Sequence, residues 1–393
     1  YAERSPVIVL AGSPGMNERH EDFKLHHMVR GFDTQYKIFD ELTCAAVVLD
    51  DPVRAAYKID EAMEKMYSHR QPIYIEIPRD VAEMRVKYDV YQQGTPNAAL
   101  SSPEAMAEAI GEALDMLKNA ERPVSLAGVQ LQRFGLGKLM IRFAEKSGLP
   151  IVTTPLSKSV VDERHPLFLG VYAGACTEPV VKEYVDNSDC VVILGEMLTD
   201  ITLGFQKAKF KTGNTIFVTA EGLNICNHTY RGVRFTDFCN ELFKMPPPKR
   251  EAPELVYPEK ADYKPLPDTK VTVQRFFDKI ETILSENTVV VADIGESLFG
   301  ALNINTNGGS FICPAQYTSM GFAIPGALGV GLAKPNVRPV VLVGDGAFQM
   351  SVAELGTIVK NGLNPIVFVL NNGGYATERL IMEGSFNDIP AWE

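Results

Sequence analysis

Short apolar runs alternate along the chain with stretches of helical spacing. The runs are "PVIVLAG" (6 to 12), "PIYIEIP" (72 to 78), "PVSLAG" (123 to 128), "CVVILG" (190 to 195), "TIFVTA" (215 to 220), "TVVVADIG" (288 to 295), "PVVLVGDG" (339 to 346) and "PIVFVLNN" (365 to 372). Among the intervening stretches, "SPEAMAEAIGEALDMLKNA" (102 to 120) opens with a Ser-Pro-Glu helix entry. Continuous apolar strands separated by helices are the signature of parallel sheets covered on both faces. The fold class is therefore α/β, repeated more than once.

Two seams interrupt the pattern. The polar stretch "YQQGTPNAALSSPE" (91 to 104) and the Pro-rich "MPPPKREAPELVYPEKADYKPLPDTK" (245 to 270) lack periodicity and carry the breakers of linkers. They predict segments at 1 to 95, 96 to 250 and 269 to 393, with a linker at 251 to 268. A chain of 393 residues is long enough for two or three cores.

Composition removes several classes of function. Thirty-eight basic against forty-nine acidic residues give a formal charge of -11, which argues against nucleic acid as partner. No apolar run is long enough to span a bilayer, so no membrane role is expected. Six scattered cysteines without a C-x-x-C pair indicate neither a zinc site nor a disulfide framework, and a cytoplasmic location is the expectation.

The candidate chemistry lies in "VVLVGDGAFQM" (340 to 350). A dinucleotide fingerprint fails because Gln349 stands where the third glycine belongs, and a Walker loop fails for want of Gly-Lys-Ser/Thr. What remains is a strand ending in Gly344-Asp345-Gly346, a helix with Val352, Leu355 and Val359 on one face, and a strand ending in Asn371-Asn372. In a parallel sheet both ends reach the edge where α/β folds bind ligands, so Asp345 and Asn372 are expected side by side. A carboxylate and an amide oxygen are hard donors suited to Mg²⁺ or Ca²⁺, and glycines at a helix start let backbone N–H groups approach phosphate. A magnesium-bridged diphosphate is the natural occupant.

These residues carry a resemblance. "GDGAFQMSVAELGTIVKNGLNPIVFVLNNGGY" is similar to the thiamine diphosphate motif, and "NNGGYATERLIMEGSFNDIPAW", "GVYAGACTEPVVKEYVDNSDCVVILGEMLTD" and "FKLHHMV" resemble segments of 2-oxo acid decarboxylases of the pyruvate and indolepyruvate decarboxylase family. The resemblance implies a three-domain thiamine diphosphate-binding architecture. Residues 1 to 95 would be the later part of a pyrimidine-binding domain, 96 to 250 a central nucleotide-binding-like domain without cofactor, and 269 to 393 a diphosphate- and Mg²⁺-binding domain.

Carried over residue by residue, Asp345, Asn372 and the Gly374 carbonyl match the Mg²⁺ ligands. Gly344, Gly346, Ala347 and Tyr375 line the cofactor, and Met320 in "YTSMGFAIPGALG" matches the apolar wedge between its two rings. His26, His27 and Glu378 match the proton-moving and substrate-facing groups, and Thr377 and Ile381 the substrate pocket, where threonine in place of isoleucine predicts a 2-oxo acid larger than pyruvate. The implied reaction is non-oxidative: a 2-oxo acid loses carbon dioxide through an enamine on the cofactor and leaves as an aldehyde. No side chain accepts the electron pair left by that bond cleavage; a thiazolium ring does. A carboligase like acetolactate synthase and a non-catalytic assembly module are the alternatives. The family's active site forms between subunits, implying a homodimer or homotetramer.

Two features depart from the family pattern. Glu296 and Ala347 stand where hydroxyl residues often face the diphosphate, and Glu296 is expected to turn away. Both ends read as cuts through domains, and the glutamate that activates the cofactor in this family falls upstream of residue 1. Glu18, Glu21 and Glu41 do not match its segment, so the chain by itself is expected to bind cofactor weakly or not at all and not to turn over.

Overall fold

A computed structural model describes residues 1–20, 24–26, 28–86, 100–200, 210, 212–257 and 263–375. The chain divides into two compact units, Tyr1–Ser101 and Ser102–Glu393.

The first unit holds β1 (Ile8–Ser13), α1 (Thr34–Leu42), β2 (Ala45–Val48), α2 (Ala55–His69) and β3 (Ile73–Pro78), its strands all parallel in the order β1-β3-β2. β3 is central and almost wholly buried, whereas β1 alternates exposed and half-buried positions. The apolar run at 72 to 78 therefore reads as a strand paired on both edges.

The second unit opens with α3 (Pro103–Asn119), where Ser102 Oγ accepts a hydrogen bond from Ala105 N at 3.3 Å and so caps the helix. A seven-stranded sheet follows through β4 (Pro123–Ala127), α4 (Val129–Arg133), α5 (Gly137–Ser147), β5 (Ile151–Thr153), β6 (Phe168–Val171), α6 (Pro179–Asp186), β7 (Cys190–Leu194), β8 (Thr215–Val218), β9 (Leu223–Ile225), β10 (His228–Tyr230) and α7 (Phe235–Lys244). Its order is β10-β9-β8-β7-β4-β5-β6, parallel except at the β8-β9-β10 edge. Leu117, Phe143, Ile151, Val192 and Phe238 pack its main core, each contributing roughly 1.5–3 kcal/mol by burial.

The same unit continues with α8 (Val273–Ile283), β11 (Thr288–Ala292), α9 (Glu296–Phe299), β12 (Phe311–Ile312), α10 (Ala323–Ala333), β13 (Arg338–Gly344), α11 (Asp345–Ser351), α12 (Glu354–Lys360) and β14 (Ile366–Leu370). These strands form a parallel four-stranded sheet, β12-β11-β13-β14. The two sheets of this unit share a cluster in which Val129, Leu156 and Ala173 meet Phe277, Leu298 and Phe311. At that junction the buried Lys158 Nζ lies 2.7 Å from both Glu163 oxygens and donates to the Leu302 and Ile304 carbonyls, while Glu163 Oε2 also accepts from Thr306 N. Every polar group of the pair is matched, the condition for tolerating buried charge.

The eight strands expected from the apolar runs all form, within two residues at each start. The short strands β2, β5, β6, β9, β10 and β12 have too few residues to establish a period. The helix expected after Gly346 is broken between α11 and α12 at Val352–Ala353, and this changes its phase: Val352 and Val359 are exposed, while Ala347 and Ile358 are buried.

Candidate active site

The C-terminal edge of the four-stranded sheet is built by three neighbouring strands. β13 lies between β11 and β14, with Leu342 paired to Ala292 on one side and Gly344 to Leu370 on the other. Chain direction and register thus deliver Glu296 (after β11), Asp345 (after β13) and Asn372 (after β14) to the same edge. Asp345 opens α11, and its Oδ1 accepts a hydrogen bond from Gly346 N at 2.9 Å.

Glu296 does not leave this edge, contrary to expectation. Its Oε2 accepts a hydrogen bond from Asn372 Nδ2 at 3.2 Å, so a carboxylate at the end of β11 reaches past the middle strand to the residue after β14. Asn371 Oδ1 accepts from Gly373 N and holds the turn that leads to Gly374 and Tyr375. A Cβ on Gly346 would stand 2.6 Å from a Tyr375 ring carbon, so the glycine lets the tyrosine lie on the first turn of α11.

Met320 joins from the turn before α10 and is 40% exposed. Gly321 beside it has φ +87, and a Cβ there would stand 3.1 Å from that of Met350, which places this turn against α11. The turn is tied down by Asp293, a fully buried carboxylate that the sequence reading passed over. Its Oδ1 accepts from Gly321 N at 3.2 Å and its Oδ2 from Ala323 N at 2.9 Å. Burial raises the Asp293 pKa, and these backbone donors oppose the rise. The signal was available: "TVVVADIG" ends an apolar run on an acid, as "VVLVGDG" does.

The structure thus gathers Gly344, Asp345, Gly346, Ala347, Asn372, Gly374 and Tyr375 at one edge, with the Met320 turn packed on the helix that Asp345 begins. The donor set fits a hard cation: Asp345, Asn372 and the backbone of the 373–374 turn offer oxygen only, with no thiol or imidazole among the described residues there. Thr377, Glu378 and Ile381 lie outside the described residues.

His26 belongs to the first unit, exposed on a turn, and His27 lies outside the described residues. His26 lines a cavity of about 1010 Å³ with Leu10, Glu18, Gln35, Phe39 and Glu76. Glu76, unnoticed in the sequence, is 2% exposed; Arg19 Nη2 donates to it at 3.1 Å and the Tyr74 hydroxyl at 2.8 Å. Burial first, then Glu76, push the Tyr74 phenol up to about 12 and keep it a donor. A glutamate inside the apolar "PIYIEIP" was the signal, because buried carboxylates require partners.

The seven-stranded sheet has its own strand-end acid, Glu196, just beyond β7 at the point where strand order reverses between β7 and β4. Gln130 closes this crevice: its N donates to the Gly195 carbonyl, its Oε1 accepts from Ala220 N, and its Nε2 donates to Glu221. Glu196 is fully buried, and neither oxygen has a hydrogen-bond partner among the described residues. Burial pushes its pKa up to about 8; the Thr154 and Ser157 hydroxyls and the backbone N–H groups of Met197 and Val129 pull the other way.

Comparison with known proteins places the edge in a class. The model for the thiamine pyrophosphate enzyme central domain matches residues 110–234, and that for the thiamine pyrophosphate enzyme C-terminal TPP binding domain matches residues 293–388. The second match contains Glu296, Met320, Asp345 and Asn372. The chain is 30% identical over 399 residues to indole-3-pyruvate decarboxylase of Azospirillum brasilense, covering all of this chain and 72% of that protein. It is 29% identical over 404 residues to pyruvate decarboxylase 3 of Arabidopsis thaliana, of which 68% is covered. Against pyruvate decarboxylase isozyme 2 of Saccharomyces cerevisiae the identity is 28% over 419 residues, with 72% covered. The chain belongs to the thiamine diphosphate-dependent 2-oxo acid decarboxylase family.

Proposed function

We propose that the protein decarboxylates a 2-oxo acid without oxidation, releasing carbon dioxide and an aldehyde, with thiamine diphosphate and Mg²⁺ as cofactors. The observation that carries this reading is the convergence of Asp345 and Asn372 on adjacent parallel strand ends, within the segment matched to the TPP binding domain. The bound cofactor supplies an acceptor for the electron pair left when the bond to the carboxylate breaks.

The chain's own residues do the rest. Asp345, Asn372 and the Gly374 carbonyl hold Mg²⁺, which neutralises the diphosphate; Gly344, Gly346, Ala347 and Tyr375 shape its seat, and Met320 presents an apolar surface beside it. His26 and His27 carry protons, a role suited to imidazole near neutral pH, and Glu378 faces the substrate carboxylate. Thr377 and Ile381 set the size of the acyl group, and threonine supports a substrate larger than pyruvate by discrimination of about 1–3 kcal/mol. A homodimer or homotetramer and a cytoplasmic location complete the reading; the six cysteines are free, and no helix among the described residues is long and apolar enough to cross a membrane.

The test is to supply the natural full-length protein with cofactor, Mg²⁺ and a panel of pyruvate, branched-chain and aromatic 2-oxo acids. Carbon dioxide with stoichiometric aldehyde is expected, with higher kcat/KM for the larger acids. A ligated acetohydroxy acid in place of aldehyde would make it a carboligase, and cofactor binding without turnover would overturn the catalytic assignment.

A further inference from the structure

The Glu296–Asn372 contact has a consequence for how the metal site is set. An asparagine can bind a hard cation only through its amide oxygen, yet its side chain presents either oxygen or nitrogen on a half-turn, and nothing in the residue itself selects between them. A carboxylate beside it does select. Glu296 Oε2 stands 3.2 Å from the Asn372 amide nitrogen, and an ionised carboxylate only accepts hydrogen bonds, so the nitrogen is the atom that must face it. The amide oxygen is then on the opposite side of the group.

The sheet explains why this partner comes from so far along the chain. β11 and β14 flank β13, and the Gly-Asp-Gly turn at the end of β13 lies between the ends that carry Glu296 and Asn372. Strands in a sheet stand about 4.8 Å apart, so β11 and β14 are two such spacings apart, a gap that the glutamate and asparagine side chains close together through their hydrogen bond. Glu296 is also half-buried at the first position of α9, whose Ser297 and Leu298 are buried. The packed helix fixes where the carboxylate starts.

We propose that Glu296 is a positioning residue that holds the Asn372 amide with its oxygen free for the metal. This rests on Asn372 being a metal ligand, as argued above. Partners that orient metal ligands are typically worth 10–100-fold in metal affinity, so Glu296→Ala is expected to weaken metal binding by about tenfold.

The experiment measures Mn²⁺ binding to the full-length protein by electron paramagnetic resonance of the free ion, with thiamine diphosphate present, in wild type, Glu296→Ala, Glu296→Gln, Asn372→Ala and the double alanine variant. Circular dichroism confirms folding of each. If Glu296 orients the amide, Glu296→Gln loses part of the affinity, because its own amide can accept from the Asn372 nitrogen or donate to the Asn372 oxygen and so selects less well, and Glu296→Ala has no further effect once Asn372 is alanine. A full Glu296→Ala effect in the Asn372→Ala background would mean that Glu296 acts on the ion independently of the amide, by its charge or as a ligand, and full retention in Glu296→Gln would mean that an acceptor-only partner is not what sets the amide; either overturns the inference. Unchanged affinity in Glu296→Ala with a loss in Asn372→Ala overturns the inference alone, whereas unchanged affinity in Asn372→Ala removes the metal assignment on which it rests.

Discussion

Two strands of the second unit end alike in sequence and differently in space. β7 runs "CVVILGE" and β13 runs "VVLVGDG", each an apolar parallel strand followed by glycine and an acid at the C-terminal edge of its sheet. At β7 the crevice is filled by Gln130, and Glu196 is sealed with its carboxyl pushed up to about 8 by burial. At β13 the edge stays open, with Asp345 half-buried and Glu296, Asn372 and the Met320 turn around it. A strand-end acid is therefore a ligand group only where neighbouring loops leave room for a ligand; where they close, the same residue becomes an uncharged core side chain.

The comparison is broken most directly at Asp345. Asp345→Ala should abolish decarboxylation and weaken Mg²⁺-dependent thiamine diphosphate binding by more than about 100-fold, above what an outer-shell partner costs, as read by calorimetry. Cofactor affinity near that of the wild type would return Asp345 to the status of a turn residue. The next effect is on stability. Glu163 is a buried acid like Glu196 but paired with Lys158, so Glu163→Gln strands the buried lysine and should cost about 3–5 kcal/mol in urea unfolding.

Support beneath the open edge gives a pair of smaller effects. Ile358 is packed with Val343 and Ala347 under the Asp345 turn, while its neighbour Val359 is 76% exposed. Ile358→Ala should cost about 2–5 kcal/mol, and Val359→Ala no more than about 0.5 kcal/mol. A larger cost for Val359→Ala than for Ile358→Ala would mean that α11 and α12 form one unbroken helix with the other phase.

A further effect, at Glu196, appears only through pH. Its native pKa, about 8, lies above the ordinary glutamate value of 4.5. Between those values the unfolded chain has released a proton that the folded chain keeps, so the native state binds more protons and stability falls as pH rises. The contribution is whole below pH 4.5 and lost by about pH 8. Glu196→Gln should match the wild type near pH 4.5 and exceed it at pH 9, where the ionised buried group bears the cost. Parallel stability curves for the two proteins would show that Glu196 is already solvated.

Much of this molecule was written locally. The apolar runs located eight strands because a strand buried on both faces needs continuous apolar residues, whatever it pairs with. Ser102-Pro103 marked a helix start because a cap is a contact within one turn. Gly-Asp-Gly and Asn-Asn marked the cofactor edge because both the chemistry of the donors and the direction of parallel strands can be read from short segments. Local pattern did not fix the broken phase of α11 and α12, which depends on what each helix packs against. Nor did it find Glu76 and Asp293, whose partners Arg19, Gly321 and Ala323 lie far from them along the chain. Glu296 shows the division best: in sequence it was a charge out of place beside a diphosphate and expected to turn away, and only the order β11-β13-β14, which sets it across the middle strand from Asn372, gave that charge a partner. Composition and spacing determined which elements form and which groups could do chemistry; pairing across the sheet decided which of those groups meet, because that contact joins residues 76 apart and exists only after the strands have assembled.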